Sequence, residues 1–459
     1  MQRIETKPSI HLQIVECKPT DKEWEGFSQG LNPQQIAAVE FDHETGSVLV
    51  LAGAGSGKTT VLARRIARVF AKSIEDHRPN EKSAGILALT FTKDAALEME
   101  LRVQTLLGVN ANWQSSLRFG TFHAFSYGLI RGWFNGIPNW KRLGFSKAPI
   151  LENSEAKERI TFDNMVPLAV QLLTNFPDVL ADLQTRTEYI LVDEFQDTSR
   201  EQLDLIKLVM GDRRTLFLVG DDDQSIYGFR GANPGNIHKA IESFPGLHIL
   251  KLETNYRSTP EIVRFANSVI HGKPRALRKR LVSGVQAMPG KRFAPVCKIG
   301  HDQGGDQVVW LASEIVRLHE QEGIAYCDIA ILFRLNVLHS YYRSMLEKRI
   351  GTEAAHEVVL NTVHGSKGLE YLAVFFVGLE DGILPYHRGD EKLSSERLAE
   401  ERRIFYVGVT RAKRFLYLCY TRKRILRGKT VMAKKSEFLL SRFISMLFRI
   451  SRKRVKTCF

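Results

Sequence analysis

The chain has 459 residues and a formal net charge of +14, with 44% hydrophobic and 25% charged residues. That length suffices for about three domains of ordinary size, and the composition is that of a globular protein in water. No apolar run approaches the ~20 residues needed to span a bilayer, so no membrane partner is expected. Five scattered cysteines (Cys17, Cys297, Cys327, Cys419, Cys458) contain no C-x-x-C pair, which argues against a zinc site and a disulfide framework. The opening MQRIETKPSIHLQIVECK has neither the apolar core of a signal peptide nor the acid-poor character of a transit peptide, so a cytoplasmic location is expected. Between Arg422 and Phe459 there are 13 Lys or Arg against the single acid Glu437, so this stretch alone holds +12 of the +14. Such a tail suits nucleic acid, an anionic surface or an acidic partner, and equally a solvated charge cluster.

Residues 1–29 read as a polar extension, after which Leu31-Asn32-Pro33-Gln34-Gln35 leads into a short helical pattern. Residues 48–60, VLVLAGAGSGKTT, are the most informative stretch. Val48 to Leu51 is a short β-branched run of the kind buried on both faces of a parallel sheet. A glycine turn follows, then apolar residues at helical spacing (Val61, Leu62, Ile66, Val69, Phe70). Strand, turn and helix are the context of a phosphate-binding loop. Gly53, Gly55 and Gly57 let backbone N–H groups converge, together with those of Ala54, Ser56 and Thr60. Lys58 is placed to reach the outer phosphates of a nucleoside triphosphate such as ATP, and the Thr59 hydroxyl to ligate Mg²⁺. The strict pattern has glycine where this chain has Ala52, and a small residue suffices there.

Further along, Ile86 to Thr92 reads as a buried strand and Ala95 to Leu107 as a helix. Phe119 to Phe125 reads as a strand-to-helix junction. Residues 131–185 lack strand alternation and read as a small helical insertion. Tyr189 to Val192 and Leu216 to Val219 are strands that end in acids. Asp193 at such an end can hold the metal while Glu194 orients an attacking water. A second series of buried strands is expected at Ile329 to Phe333, Val358 to Val363, Val374 to Val377 and Phe415 to Cys419, with 271–308 as a loop-rich edge. Strands alternating with helices argue an α/β fold with parallel sheets.

The blocks AGAGSGKT, LTFTKDAALEM, GTFHAF, VDEFQDT, VGDDDQSIYGFRG, ETNYRS, VHGSKGLEY and EERRIFYVGVTRAK occur in this order. Together the chain resembles the superfamily-1 helicases of the UvrD, Rep and PcrA type, from about Leu31 to Lys413. The resemblance implies two RecA-like parallel-sheet motor domains with nucleotide between them and single-stranded DNA as partner. It implies that Gln35 reads the adenine edge, Tyr256 stacks on the base and Glu370 contacts the ribose. Gln224 becomes the γ-phosphate sensor, and Arg257 and Arg411 stabilise charge on the transferring phosphoryl group. Thr92, His123 and His364 match positions that contact the DNA backbone. Phe91, Tyr227 and Phe229 match ring platforms beneath successive bases, with Arg230 beside them. Phe229 stands where tryptophan is usual, and FTKDAA where the family has FTNKAA.

The resemblance also implies an absence. Only about 107 residues separate Arg257 from His364, where the family normally carries a large accessory subdomain. The expected organisation is an extension (1–29), a first motor domain (30–250) with a helical insertion at about 126–187, and a second motor domain (251–436). A basic amphipathic helix (437–459) follows, built on Phe438, Leu439, Leu440, Phe443, Ile444, Leu447 and Ile450. The expected function is an ATP-dependent 3′→5′ translocase or helicase on single-stranded or partly duplex DNA. The alternative is a DNA-sensing ATPase subunit regulating a partner nuclease. In its compactness the chain resembles the helicase-like subunit of the Gabija anti-phage system.

Overall fold

The computed structural model describes residues 25–42, 46–76, 85–108, 116–136, 160–212, 215–231, 235–244, 246–271, 278–287, 294, 296–389, 391–426 and 429–440. It divides into two compact units. The first comprises Met1–Ala52, Gly57–Asp222 and Tyr227–Leu252; the second comprises Glu253–Phe459 and two short segments, Gly53–Ser56 and Asp223–Ile226. Among the described residues no helix is long and apolar enough to cross a membrane.

The first unit begins with helices α1 (Glu25–Ser28) and α2 (Pro33–Val39), followed by strand β1 (Val48–Ala52) and helix α3 (Lys58–Asp76). Next come β2 (Ile86–Thr90), α4 (Lys93–Leu107), β3 (Leu117–Thr121) and α5 (Phe122–Gly136). Helices α6 (Met165–Asn175) and α7 (Pro177–Thr185) precede β4 (Tyr189–Val192), α8 (Arg200–Met210), β5 (Leu216–Gly220), α9 (Asn236–Ser243) and β6 (His248–Leu252). The six strands form one sheet in the order β3-β2-β4-β5-β1-β6, and each pairing is parallel. Strands β1, β2, β4 and β5 are buried along their whole length. Their β-branched and leucine runs suit a sheet covered on both faces. Strand β2 stops at Thr90 rather than running to Thr92, because Thr92 is the N-cap of α4 and its Oγ1 accepts the Ala95 N–H at 3.2 Å. Sequence reading also missed β6. Its residues HILKL alternate with partial burial, as an edge strand does.

In the second unit a two-stranded parallel ribbon joins β7 (Thr254–Asn255) to β8 (Val282–Ser283), with α10 (Pro260–Ile270) between them in the chain. A six-stranded sheet follows from β9 (Cys297–Gln303), β10 (Ile329–Phe333), β11 (Val359–Thr362), β12 (Tyr371–Phe376), β13 (Ala412–Leu426) and β14 (Lys429–Met432). Its order is β11-β10-β12-β13-β14, with β9 also pairing with β13. All pairings are parallel except the β13–β14 hairpin. Helices α11 (Gly304–Glu322), α12 (Leu338–Ile350), α13 (Thr352–Glu357) and α14 (Ser395–Val409) complete the unit. Residues 271–308 were expected to be loop-rich, but β9 and the start of α11 lie there. The polar sequence CKIGHDQ pairs along β13 instead of burying a face. Glu437–Leu439 is a 3₁₀ turn whose Phe438 stacks on Phe405 of α14 (ring centroids 5.6 Å apart). The remainder of the expected C-terminal helix, 441–459, lies outside the described residues.

A charged network sits inside this second unit. Glu380, with no exposed surface, accepts Arg424 Nε and Nη2 at 2.9 Å each and the Thr421 N–H at 2.7 Å. Arg424 also donates to the Tyr342 hydroxyl and to Gln307 Oε1. A buried pair of this kind adds little over apolar packing, but losing one partner strands a charge. Arg424→Met is therefore expected to lower unfolding stability by about 3–5 kcal/mol, measured by urea titration, and Arg424→Met/Glu380→Gln to recover most of that loss.

Candidate functional site

The residues expected at phosphate in the first unit open α3. Its first-turn residues Lys58, Thr59 and Thr60 carry N–H groups without intrahelical acceptors, which makes the helix start an anion site. Gly57 has φ +84°, and a Cβ there would stand 2.7 Å from Gln35 Nε2. Glycine therefore serves twice, supplying the left-handed turn and letting α2 lie against the loop. The Gln35 side chain is oriented by a capping box. Its Oε1 accepts the Asn32 N–H at 3.1 Å while Asn32 Oδ1 accepts the Gln35 N–H at 2.8 Å.

At the end of β4, Asp193 Oδ1 accepts the Glu194 N–H at 2.9 Å. Glu194 has φ +48° and ψ +41°, and among the described residues no other non-glycine has positive φ. A glutamate in that conformation costs of order 1–3 kcal/mol, which the surroundings must offset. Gln196, wholly buried, donates through Nε2 to the Glu194 carboxylate and accepts the Asp221 N–H at 2.7 Å through Oε1. The Glu194 carboxylate is thus aimed by a side chain braced against the end of β5. The Thr59 hydroxyl and the Asp193 carboxylate, on the carboxyl edge of one sheet, are hard oxygen donors of the type Mg²⁺ takes.

In the second unit the segment Gly53–Ser56 packs on Asn255–Ser258. Ser56 donates to Gly53 O through both N and Oγ, at 3.3 and 2.8 Å. Asn255 Nδ2 donates to Ala54 O at 2.7 Å, and the Tyr256 N–H to Gly55 O at 2.8 Å. Asn255 Oδ1 accepts the N–H groups of Arg257 and Ser258 at 2.9 and 2.7 Å. Asn255, given no role from sequence, thus joins the glycine turn to the arginine-bearing loop. Gly55 has φ +66°, and a Cβ there would stand 2.7 Å from Arg257 Cβ.

Tyr256 exposes 48% of its surface. Arg257 donates to Glu370 at 2.6 Å and to Thr410 O at 3.1 Å, and Lys413 pairs with Glu370 at 2.6 Å. Burial pushes the Glu370 pKa up, but the bonds from Lys413 and Arg257 outweigh it and the net shift is downward. Arg411 is only 1% exposed; its Nη2 donates to Gln224 Oε1 at 3.1 Å, its Nε to Val407 O at 3.0 Å and its Nη1 to Leu369 O at 3.1 Å. The residues expected at phosphate and ribose, Arg257 and Glu370, therefore bond to each other. Arg411 is fastened to the expected sensor Gln224. His364 lies in the turn after β11, half-buried.

Back in the first unit, Phe91 and Tyr227 stack with ring centroids 5.0 Å apart and planes at 19°. Phe229, 68% exposed, meets Tyr227 edge-on at 6.0 Å. A cleft of ≈ 580 Å³ is lined by Phe91, His123, Phe162 and Phe229, together with Asp163, Asp197 and Glu201. His123 stacks on Phe162 at 3.7 Å. Sequence reading missed Phe162 because it falls in the stretch taken as a helical insertion. Thr92 spends its acceptor on capping α4. The side chain of Arg230 lies outside the described residues.

Comparison with known proteins places the chain among helicases by family. The family described as "UvrD/REP helicase N-terminal domain" matches residues 31–148 and 147–245, and "UvrD-like helicase C-terminal domain" matches residues 343–423. A "Probable DNA helicase" of Mycoplasma pneumoniae is 32% identical over 84% of this chain and 83% of its own length. The "ATP-dependent DNA helicase Rep" of Escherichia coli is 32% identical over 67% of this chain, and "ATP-dependent DNA helicase PcrA" of Leuconostoc citreum 30% over 68%. The chain spans about half the length of these last two relatives, 52% and 48%.

Burial is the largest influence on His123 and lowers its pKa, against the raising effects of Asp163 and of a hydrogen bond to the Phe162 backbone. The stacked Phe162 ring covers the imidazole. Phe162→Ala is expected to move the His123 titration midpoint upward, read from its ring proton shifts by NMR. An unmoved midpoint would contradict the stack.

Proposed function

Because the chain belongs to the UvrD/Rep helicase family, we propose that it hydrolyses ATP and couples the turnover to 3′→5′ movement along single-stranded DNA. The observation that carries this reading is the strained Glu194 at the end of β4, held by Gln196 beside Asp193. Strain of that kind persists where a side chain must be aimed.

In this reading the N–H groups of Gly53–Thr60 and the Lys58 ammonium bind the β- and γ-phosphates. Thr59 and Asp193 would hold Mg²⁺, which would neutralise phosphate charge. Glu194 orients the attacking water and accepts its proton. Arg257 and Arg411 stabilise charge on the transferring group, for which a planar, permanently charged guanidinium is suited. Their present bonds to Glu370 and Gln224 then describe a resting arrangement, from which phosphate recruits them. Gln35 reads the adenine edge, Tyr256 stacks on the base and Glu370 contacts the ribose. On the DNA side, Phe91, Tyr227 and Phe229 stack on bases and Thr92, His123, Arg230 and His364 contact the backbone. Stacking is tolerant of sequence, as a translocating protein needs. A cytoplasmic location belongs to the same reading.

ATP hydrolysis with and without single-stranded DNA tests it. DNA is expected to stimulate turnover, and Glu194→Gln to lower kcat by about 10²–10⁴-fold while nucleotide binding persists. A folded Glu194→Gln chain with undiminished turnover would overturn the assignment. A wild-type chain that binds ATP and stays silent with DNA would favour the alternative, a DNA-sensing subunit for a partner nuclease. Tyr227→Ala is expected to weaken binding to a short oligonucleotide by about 1–3 kcal/mol, measured by fluorescence anisotropy.

A further inference from the structure

Three consecutive residues of the second unit are gripped by four cations from separate places in the chain. Lys279 Nζ lies 3.0 Å from Asp223 Oδ2 as an ion pair rather than an aligned hydrogen bond. Lys367 donates to Gln224 O at 2.8 Å, Arg411 to Gln224 Oε1 at 3.1 Å and Arg403 to Ser225 O at 2.6 Å. The grip on the two carbonyls sets the direction of the peptide, which presents the Gln224 amide to Arg411.

Of the four contacts, the Lys279–Asp223 pair joins two opposite charges. Both side chains are almost fully buried, 1% and 5% exposed. Lysine is almost never buried to that degree unless paired, and such a pair brings little net stability over apolar packing. Its use lies in position. Lys279 cannot adapt freely, because its neighbours are pinned. The Arg280 N–H donates to Glu253 Oε1 at 2.7 Å, and Leu281 exchanges two hydrogen bonds with Asn267 of α10. The same segment touches the phosphate loop, for a Cβ on Gly53 would stand 2.1 Å from Leu281 Cδ2. One rigid stretch, 279–281, thus bears on both Gly53 and Asp223.

We propose that Lys279 is a positioning residue for hydrolysis, fixing Gln224 opposite Arg411 through its ion pair with Asp223. The proposal rests on the ATP-hydrolysing reading above and adds a residue to it that touches neither nucleotide nor DNA.

The test compares Lys279→Met, Asp223→Asn, the double variant and Lys279→Arg in DNA-stimulated ATP hydrolysis, with thermal unfolding as the control for folding. Lys279→Met is expected to lower kcat by about 10- to 100-fold, the scale on which misplaced catalytic groups act. The KM for ATP should stay within about threefold of wild type, since uniform binding is untouched. The double variant leaves no lone buried charge and serves as the folded comparison. It should lose no more than either single variant, because both break one link. Lys279→Arg should restore most of the rate. A folded double variant with wild-type kcat, or single losses that multiply in the double, would overturn the proposal.

Hydrogen exchange of the amides of 221–227 in the nucleotide-free chain gives a readout independent of turnover. It should quicken in Lys279→Met and in the double variant alike. A wild-type chain without ATPase activity would sink the functional reading alone. Unchanged exchange in the double variant would then sink the positioning role.

Discussion

Parallel strand pairing is the constraint on which the site depends. With β1 to β6 all running one way, every carboxyl end of the first unit falls on one edge of the sheet. Strands buried on both faces have no room for polar side chains along their length, so the chemistry collects where they stop. The end of β1 gives way to the glycine turn, and β2 leads to Phe91 and Thr92. Strand β3 passes directly into Phe122 and His123, while β4 and β5 end at Asp193 and Asp221. Covering helices and an all-parallel ladder are thus the reason that the start of α3, two carboxylates and a set of rings share an edge.

Side chains at these positions are held in direction by neighbouring side chains and backbone. Gln35 is aimed by its own capping box, and Glu194 by Gln196, which in turn leans on the backbone of Asp221. In the second unit Asn255 does the same for the turn at Ala54 and for the backbone of Arg257. Each arrangement spends hydrogen bonds that are buried, and so expensive to leave unmade, on fixing direction rather than on adding net stability. The left-handed Glu194 belongs with these: local strain is tolerated because several partners over-determine it.

Much of this was legible in the sequence, for identifiable reasons. Unbroken runs such as VLVLA and IAILF can hardly be anything but buried strands, and the α/β reading with parallel sheets holds. The glycine turn announces itself because glycines must stand where φ is positive and backbone approaches closely, as at Gly55 and Gly57. What escaped has weak local signal. Strands β6 and β9 lie where polar residues interrupt the pattern, and only pairing with β1 and β13 makes them strands. Nothing in VDEF marks Glu194 as left-handed, because the usual glycine or asparagine is absent. The stack of Phe162 on His123 and the ion pair of Lys279 with Asp223 join residues far apart in the chain, and spacing cannot reveal such contacts. The blocks that resemble a family suggest roles for single residues, but the side chains that hold those residues in place are set by contacts between distant parts of the chain.

The central claim is that turnover of ATP drives directed movement on DNA. Stopped-flow translocation on single strands of increasing length, labelled at either the 5′ or the 3′ end, tests it most directly. Movement in the proposed 3′→5′ direction gives a signal from the 5′ label whose peak time grows with strand length and requires ATP, while the 3′ label decays without a lag. A signal independent of length at both ends, in a chain that hydrolyses ATP, would contradict it.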